Sequence, residues 1–332
     1  VPMAIPGITA AVIGLGRIGY TMGKDSRRAK PATHVEAYLF DQRVRLVAVA
    51  DTDPVRREEF RADPATLGIP VFDDVDATLG AFQPSVVSVA TPTDQHAEIV
   101  IQCAQAGVKV ILCEKPLAGS VADGQRMIRA CAEHDAVLIV NHSRRFDPMI
   151  GATIKLLREG HFGTVRTLVG HYTAGLFNNG THLLDLMQAI VGVPTRLLAL
   201  PSPTSGPKDD INADALLAFE GDAMGVIQAH EVLDYAIFTL EVFTASRLVV
   251  FDDFSYSIRA YAVGPSPWFD GYQQLLTEPE PPRRPMPRSF MGSAISYAID
   301  VLAGTHPPIS TGEEAVAVLR TLRDIWMDAH AR

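Results

Sequence analysis

Cysteines and long apolar runs are scarce in this chain of 332 residues. The three cysteines, Cys103, Cys113 and Cys131, lie in apolar or helical surroundings without metal-ligand spacing, so we expect reduced core thiols and no metal site. No stretch approaches the roughly 18 uninterrupted apolar residues of a membrane span. No basic segment followed by an apolar run precedes the first predicted strand, Ile8–Ile13. The sequence therefore predicts no membrane partner, no secretory signal and a cytoplasmic location.

Basic residues are outnumbered by acidic ones, 29 to 38, which gives a formal net charge of −9 at pH 7. Proteins that bind nucleic acid favour a basic face, so we expect no nucleic-acid partner. A hydrophobic fraction of 47% and a charged fraction of 20% are typical of a globular protein. At roughly 150 residues per domain, the length favours two domains.

The first 145 residues alternate short apolar runs with amphipathic stretches, which is typical of βαβ units in a parallel sheet. We therefore predict a doubly wound parallel sheet in a first domain, residues 1–145. The predicted strands are Ala10–Ile13, Leu46–Ala50, Val86–Ala90, Val108–Leu112 and Val137–Val140, and two predicted helices are Ala97–Ala106 and Val121–His134.

The pattern changes in residues 146–332, where most runs alternate with a period of two. We predict a second domain of α+β type with a large, mostly antiparallel open sheet. Since no helix obviously covers one face of that sheet, we expect a homodimer or homotetramer. The Pro-rich segment 265–287 is interpreted as a lid or an interaction arm. The predicted elements are helices Met149–Glu159 and Gly312–Ala331 and strands Arg166–His171, Arg196–Leu200, Ala213–Phe219, Met224–His230, Phe238–Phe243 and Arg247–Phe251.

A glycine pattern between the first strand and a helical stretch matches the dinucleotide-binding fingerprint of Rossmann domains. Gly14 suits the tight turn, Gly16 the close approach of a pyrophosphate, and Gly19 the packing of helix on strand. Arg17 and Ile18 stand between the last two glycines and are also expected beside the cofactor.

An aspartate, Asp51, ends the second predicted strand. A carboxylate there accepts hydrogen bonds from ribose hydroxyls and repels a 2′-phosphate, so NAD is favoured over NADP. Asp51 follows Gly19 by 32 residues, where about 20 is usual. The extra stretch 21–36 is basic, and it is either a solvated loop or a source of cations that contact phosphates and offset the NAD preference.

The next two predicted strands of the first domain also end in polar residues. Thr91 and Pro92 begin a turn that can lie along the cofactor, with His96 as a polar cap or core-edge residue rather than a catalytic one. Glu114 and Lys115 end the strand Val108–Leu112, and a charged pair is costly to bury except at the carboxyl edge of a sheet, where ligands bind. Lys115 is therefore a candidate acid/base, with a structural ion pair to Glu114 or a ribose contact as its alternatives.

These motifs together resemble the family of glucose-fructose oxidoreductase, inositol dehydrogenase and MocA-like proteins. The residues that carry the resemblance are Gly14–Gly19, Ala50-Asp51, Thr91-Pro92 with His96, Glu114-Lys115-Pro116, Arg144-Arg145-Phe146-Asp147 and Asn178–Asp185. The resemblance implies that Lys115 lies near the nicotinamide and the substrate, and that His182 acts with it on a substrate hydroxyl. Many members have an aspartate four residues before this histidine, where this chain has Asn178. An amide can hold a hydroxyl but cannot raise the basicity of the histidine.

Further substrate contacts are expected around these two residues. On a helix, Asn178, His182 and Asp185 share one face, and Asp185 can fix the tautomer of His182. If the helix begins nearer Asn179 or Gly180, Asn178 stands at its N-terminus instead. The alternative for His182 is a satisfied core histidine. The other candidates are Arg144 and Arg145, as substrate or interdomain contacts, and Tyr172, Asn179 and His171, as hydroxyl contacts.

Our leading hypothesis is an NAD-dependent oxidoreductase that moves a hydride between the nicotinamide and a ring hydroxyl or ketone of a sugar, cyclitol or sugar derivative. The carbohydrate substrate rests on the family resemblance. One alternative is a redox-neutral enzyme, an epimerase or a lyase or glycosidase, that retains NAD and oxidises its substrate transiently. Another is a non-catalytic protein that senses NAD.

Overall fold

The structure is a computed structural model that describes residues 7–204, 206–207, 210–276 and 289–331. The described chain forms two compact units. The first contains residues 7–147 and 289–316, and the second contains residues 148–276 and 317–331. Each unit is built around its own sheet.

A six-stranded parallel sheet forms the centre of the first unit. Its strand order is β3-β2-β1-β4-β5-β6, so the order reverses between β1 and β4, where open α/β sheets bind ligands. This arrangement confirms the predicted doubly wound fold. The strands are β1 (Thr9–Ile13), β2 (Arg45–Ala50), β3 (Val71–Phe72), β4 (Val86–Val89), β5 (Val110–Cys113) and β6 (Val137–Val140), and the helices are α1 (His34–Phe40), α2 (Pro54–Ala62), α3 (Val75–Phe82), α4 (His96–Gln105) and α5 (Val121–Glu133).

Short polar side chains start most of these helices. Thr33, Asp53, Asp74 and Ser120 each accept a hydrogen bond from a backbone amide of the first turn, in α1, α2, α3 and α5 respectively. Such caps satisfy backbone donors that the helix itself leaves open. They fix where each helix begins relative to the strand before it.

The basic stretch 21–36 keeps its four cations, Lys24, Arg27, Arg28 and Lys30, exposed to solvent. It contains a single turn of 3₁₀ helix, Thr21–Lys24, and its end forms the start of α1. Lys24 pairs with Glu59 at 3.6 Å, and Lys30 pairs with Glu36 at 3.1 Å. These two cations therefore neutralise carboxylates of the same unit.

An eight-stranded sheet forms the second unit, with the order β14-β13-β12-β11-β7-β10-β9-β8. Only one neighbouring pair, β7 with β10, is parallel, which confirms the predicted mostly antiparallel sheet. Residues 277–287, on which the lid or arm interpretation depends, lie outside the described residues. The elements are α6 (Pro148–Arg158), β7 (Val165–Thr173), α7 (Thr181–Val191), β8 (Arg196–Pro201), β9 (Ala213–Ala218), β10 (Met224–His230), β11 (Phe238–Thr244), β12 (Arg247–Asp252), β13 (Ser257–Pro265) and β14 (Gln273–Leu275).

The two faces of this sheet differ in burial. Leu168, Gly170 and Tyr172 of β7 are buried on the face that carries α7, where Gly170 meets Leu183. On the opposite face, side chains such as Leu198, Leu216 and Met224 are each more than 40% exposed. The homodimer or homotetramer that the sequence suggested for such a face stays a prediction.

Two helices end the described chain, α8 (Phe290–Leu302) and α9 (Gly312–His330). The buried residues of α8, among them Ala294, Ile295 and Ile299, belong to the same core cluster as Val12 of β1 and Leu112 of β5. The compact units therefore differ from the sequence division into residues 1–145 and 146–332, because the apolar face of α8 is buried in the first unit. The functional meaning of that division stays a prediction.

Three further observations concern the described residues as a whole. They include no helix that is both long and apolar enough to cross a membrane. They include no group of three or more His, Cys, Asp or Glu side chains suited to a metal ion. Cys103, Cys113 and Cys131 are buried and free, and burial raises the pKa of each thiol, that of Cys131 to about 12.

If α8 completes the core of the first unit, shortening Ile299, which is 0% exposed, will destabilise the protein. We expect Ile299→Ala to lower the free energy of unfolding by about 2–5 kcal/mol, because a buried cavity remains. The measurement is urea unfolding followed by circular dichroism. Val55→Ala is the control, because Val55 is 64% exposed and should change the free energy by no more than about 0.5 kcal/mol. Equal effects of the two variants would contradict the packing of α8 described here.

Candidate active site

A cleft of about 470 Å³ lies at the carboxyl edge of the parallel sheet, within the first unit. It is lined by the ends of β1 and β2, the start of α2, and the turn after β4. The residues predicted from sequence to contact the cofactor that line this cleft are Gly14, Gly16, Arg17, Ile18, Asp51, Thr91 and Pro92.

The glycines of the fingerprint turn are required by its backbone geometry. Gly14 has a φ of +102°, and a Cβ there would lie 2.6 Å from the carbonyl carbon and oxygen of Ala90. A Cβ on Gly19 would lie 1.9 Å from the carbonyl oxygen of Gly14. A Cβ on Gly16, by contrast, would have no neighbour closer than a guanidinium nitrogen of Arg56, at 3.8 Å. Gly14 and Gly19 therefore shape the turn, while Gly16 leaves a surface that a ligand can approach.

Asp51 is held at the edge of the cleft by two backbone amides. Its Oδ2 accepts a hydrogen bond from the amide of Leu15 at 2.7 Å, and its Oδ1 accepts one from the amide of Asp53 at 2.8 Å. The side chain of Arg56 stands 3.4 Å from Oδ2. Each carboxylate oxygen has a second acceptor position, so Asp51 can still bind a ribose hydroxyl.

Several cleft residues escaped the sequence analysis, namely Arg56, Asp73, Asp74 and Gln95. Arg56 lies in the first turn of α2. Asp53 caps this helix by accepting a hydrogen bond from the amide of Val55, and the pair Asp53-Pro54 is the sequence signal that could have located the start of α2. Asp73 and Asp74 follow β3, whose two residues are too few to produce a recognisable strand pattern.

His96 braces the turn that borders the cleft. Its Nε2 is 2.9 Å from the carbonyl oxygen of Thr91, and its Nδ1 is 3.1 Å from that of Pro116. The ring is 1% exposed and does not line the cleft, so its contacts fit the structural alternative. Thr91 contributes a buried Oγ1 that has no hydrogen-bond partner among the described residues. A buried hydroxyl without a partner at a cleft wall fits hydrogen bonding to a ligand.

Lys115 follows the buried strand β5 by two residues and is half-buried. The preceding residue, Glu114, accepts hydrogen bonds from Asn141 at 2.6 Å and from the ring of His34 at 2.8 Å. Burial alone would raise the pKa of Glu114, but the hydrogen bonds from His34 and Asn141 and the charge of Lys115 hold it below its usual range. Glu114 is therefore a carboxylate with fixed partners and is a poor candidate for a proton acceptor.

Arg144 and Arg145 lie in a 3₁₀ turn directly after β6 and are largely buried. Arg145 forms an ion pair with Glu314 at 3.1 Å. The guanidinium of Arg144 lies over the ring of Phe290, 5.8 Å from its centre. Both contacts are within the first unit, so each side chain has a structural partner there. Their predicted contacts with substrate stay predictions.

In the second unit, a single π-helical turn, Leu176–Gly180, leads into α7. The carboxylate of Asp210 accepts hydrogen bonds from the amides of Phe177 and Asn178, at 3.1 and 2.9 Å. The side chains of Asn178 and Asn179 donate to the carbonyls of Ala174 and Thr173. Turns of this type are frequent at functional sites.

His182 and Asp185 lie in the first two turns of α7, three residues apart, and both are buried. Asn178 lies in the π turn directly before α7, which corresponds to the second alternative, a position at the N-terminus of the helix. The pairing of His182 with Asp185 stays a prediction.

Tyr172 and His171 occupy opposite faces of β7. The hydroxyl of Tyr172 donates to the carbonyl of Ala213 at 2.7 Å and accepts from its amide at 3.0 Å, and the side chain is 0% exposed. Both bonds hold Tyr172 in the core of the second unit, and its predicted contact with a substrate hydroxyl stays a prediction. His171 instead lies beside His230, with 2.9 Å between ring nitrogens. Burial and the neighbouring imidazole hold the pKa of His171 below its usual value.

The geometry of the fingerprint turn predicts unequal effects of two glycine substitutions. Gly19→Ala should lower the free energy of unfolding by at least about 2 kcal/mol, because its Cβ would overlap a backbone oxygen that cannot move away. Gly80→Ala in α3 is the control, since nothing lies within 4 Å of a Cβ there. That control should be neutral or stabilising by up to about 1 kcal/mol, because alanine favours the helix. Thermal unfolding of both variants measures the difference, and similar midpoints would contradict the geometry.

Comparison with known families gives one match that covers the cleft. The sequence profile of the oxidoreductase family with an NAD-binding Rossmann fold, which groups glucose-fructose oxidoreductase, inositol dehydrogenase and MocA-like proteins, matches residues 8–142. That range contains β1 to β6 and every residue that lines the cleft.

Individual relatives are similar to this chain over about half of their own length. A D-apiose dehydrogenase from Paraburkholderia graminis is 30% identical over 214 residues, which cover 58% of this chain and 56% of the relative. An inositol 2-dehydrogenase from Rhizobium meliloti is 35% identical over 158 residues, which cover 46% of this chain and 42% of the relative. The chain thus spans about half the length of these curated relatives.

Solved structures extend the similarity of fold to both units. The WlbA dehydrogenase from Bordetella pertussis, solved in complex with NADH and UDP-GlcNAcA, matches with a TM-score of 0.75 over 98% of this chain and 97% of its own. Its identity of 21% supports a shared fold and nothing more specific. The family profile thus identifies residues 8–142 as an NAD-binding Rossmann domain of the Gfo/Idh/MocA oxidoreductase type.

Proposed function

We propose that this protein is an NAD-dependent oxidoreductase that transfers a hydride between the nicotinamide and a ring hydroxyl or ketone of a sugar, cyclitol or sugar derivative. The observation that carries the proposal is the cleft at the point where strand order reverses, with the fingerprint turn on one wall and Asp51 on its edge. Relatives named as D-apiose and inositol dehydrogenases support the class of substrate.

The residues around the cleft suit a dinucleotide. Gly16 would let the pyrophosphate approach the turn that Gly14 shapes, Asp51 would accept from the ribose, and the buried hydroxyl of Thr91 would gain a partner. The bound cofactor supplies the hydride acceptor or donor. What the protein must add is orientation of the substrate carbon and a group that exchanges one proton with the substrate oxygen.

We assign that proton transfer to Lys115 and His182. Around Lys115 the other ionisable groups are poor candidates, because Glu114 is a hydrogen-bonded carboxylate and burial raises the pKa of the Cys113 thiol. In the second unit His182 is the one imidazole in α7, and Asp185 one turn later is the residue we propose to fix its tautomer. Asn178 and Asn179 are proposed as contacts for substrate hydroxyls.

The test of this assignment is turnover with NAD and a panel of sugars and cyclitols, followed by the absorbance of reduced nicotinamide. On any substrate found, Lys115→Ala and His182→Ala should each reduce kcat by about 10²–10⁴, the usual contribution of general acid–base catalysis. Lys109 is an exposed lysine directly before β5, at the opposite end of the strand from Lys115. Lys109→Ala is therefore the matched control and should leave kcat unchanged. Normal turnover in both active-site variants would contradict the assignment.

Turnover without net nicotinamide reduction, with cofactor retained on the protein, would instead favour the redox-neutral alternative. Binding of NAD without turnover of any panel member would favour the NAD-sensing alternative. The cytoplasmic location and the homodimer or homotetramer stay predictions.

The choice of NAD over NADP is proposed from Asp51, with Arg56 acting against it. Asp51→Ala removes the charge that repels a 2′-phosphate, so the ratio of NADP to NAD affinity should rise at least about tenfold, or 1.4 kcal/mol. Arg56→Ala should move the ratio the other way, because Arg56 is the cation nearest to Asp51 in the cleft. Calorimetric titration of each variant with both cofactors measures the ratio. Equal affinity of the unmodified protein for the two cofactors would refute the role of Asp51.

A further inference from the structure

A chain of buried polar side chains leads to the residue before Lys115. The hydroxyl of Tyr38 lies 2.9 Å from Oγ of Ser88, and that Oγ lies 2.9 Å from Nδ1 of His34. Nε2 of His34 lies 2.8 Å from Oε1 of Glu114, which also accepts from Asn141. None of the five is more than 7% exposed. The proposed reaction uses none of the first three side chains.

The elements that bring these groups together are distant in sequence. His34 and Tyr38 are one turn apart on α1, at the end of the stretch that lengthens the distance between the fingerprint and Asp51. Ser88 lies inside β4, and Glu114 and Asn141 directly follow β5 and β6. The helix α1 therefore delivers an imidazole to the carboxyl edge of the sheet, at the position next to Lys115.

One arrangement of protons satisfies every group in the chain. Tyr38 donates to Ser88, Ser88 donates to Nδ1 of His34, and Nε2–H of His34 donates to the carboxylate of Glu114. The chain ends at Tyr38, which is 1% exposed, and burial raises the pKa of its hydroxyl far above the usual value. A chain that ends in the core cannot exchange protons with solvent, so its role is to hold a charge in place.

The charge that it holds belongs to Glu114. The groups facing this carboxylate are His34 from α1, Asn141 after β6, and the neighbouring Cys113 and Lys115. A buried carboxylate without such donors would take up a proton. With them, it holds a fixed negative charge at the residue before Lys115, and the two side chains interact through their charges.

We propose that His34 is a positioning residue for Lys115, because it keeps Glu114 ionised and oriented at the residue before the lysine. The inference rests on the proposed function only for the statement that Lys115 exchanges a proton with substrate. The effect of His34 on Lys115 is a property of the protein without cofactor or substrate, and it can be measured separately.

The experiment follows the titration of Lys115 by NMR after reductive ¹³C-dimethylation of the lysines. The chain has six lysines, so Lys115→Arg assigns the signal. Glu114→Gln should lower the pKa of Lys115 by about one unit or more, because it removes an adjacent opposite charge. His34→Asn retains an amide near Ser88 but has no donor near Glu114. This variant should also lower the pKa of Lys115, because Glu114 then takes up a proton and loses its charge.

Two variants serve as matched controls. His34→Gln carries its amide at the position of Nε2, so the donor to Glu114 remains and the titration of Lys115 should stay as in the unmodified protein. Tyr38→Phe removes only the far end of the chain and should also leave it unchanged. If His34→Asn does not fold, His34→Leu replaces it, because leucine also removes the donor to Glu114 and should shift the titration in the same direction.

An unchanged titration of Lys115 in His34→Asn, or in His34→Leu where that variant is used, overturns the proposal even if Glu114→Gln shifts it. An unchanged titration in Glu114→Gln overturns it as well. Equal shifts in His34→Asn and His34→Gln would show that His34 acts only through packing, and they would also refute the proposal. Failure of the proposed function would be visible separately, as normal turnover of Lys115→Ala.

Discussion

The first unit depends on the neutralisation of charges that its parallel sheet brings to one edge. Side chains at the carboxyl ends of buried strands are close to ligands and also poorly solvated, so each ionised group there needs partners from elsewhere in the chain. Asp51 takes two backbone amides, Glu114 takes His34 and Asn141, and Arg145 takes Glu314. Without these partners the same charges would destabilise the fold that positions them.

Two helices meet this requirement while they build the core. The crossover helix α1, between the parallel neighbours β1 and β2, supplies His34 to Glu114 and packs its apolar residues in the core. The late segment 289–316 supplies α8 to the same core and Glu314 to Arg145. Both segments bury apolar surface while they complete a polar network, so stability and the geometry of the edge are built by the same elements.

The sequence was sufficient for features that depend on local pattern. The strands of the parallel sheet, the glycine turn and Asp51 are each encoded by neighbouring residues, and the fold class was predicted correctly from them. Features that depend on contacts between distant residues were missed. Nothing near His34 indicates Glu114, 80 positions later, and the period of α8 identifies an amphipathic helix without identifying the sheet that it covers. The two residues of β3 carried no pattern at all.

The second unit illustrates the same limit at Asn178. Sequence spacing made it part of a helix face and a substitute for an aspartate, yet the chain forms a π turn there, and the carboxylate at this turn comes from Asp210, 32 positions later. Asp210 accepts two backbone amides, and a Cβ on Gly175 would lie 2.1 Å from its Oδ2. Glycine at that position, with a φ of +101°, thus admits the carboxylate that organises the entry to α7. The asparagine side chains hold the turn from its other side through the carbonyls of Thr173 and Ala174. The start of the helix that carries His182 is therefore set by hydrogen bonds to backbone groups, which the identity of residue 178 alone does not reveal.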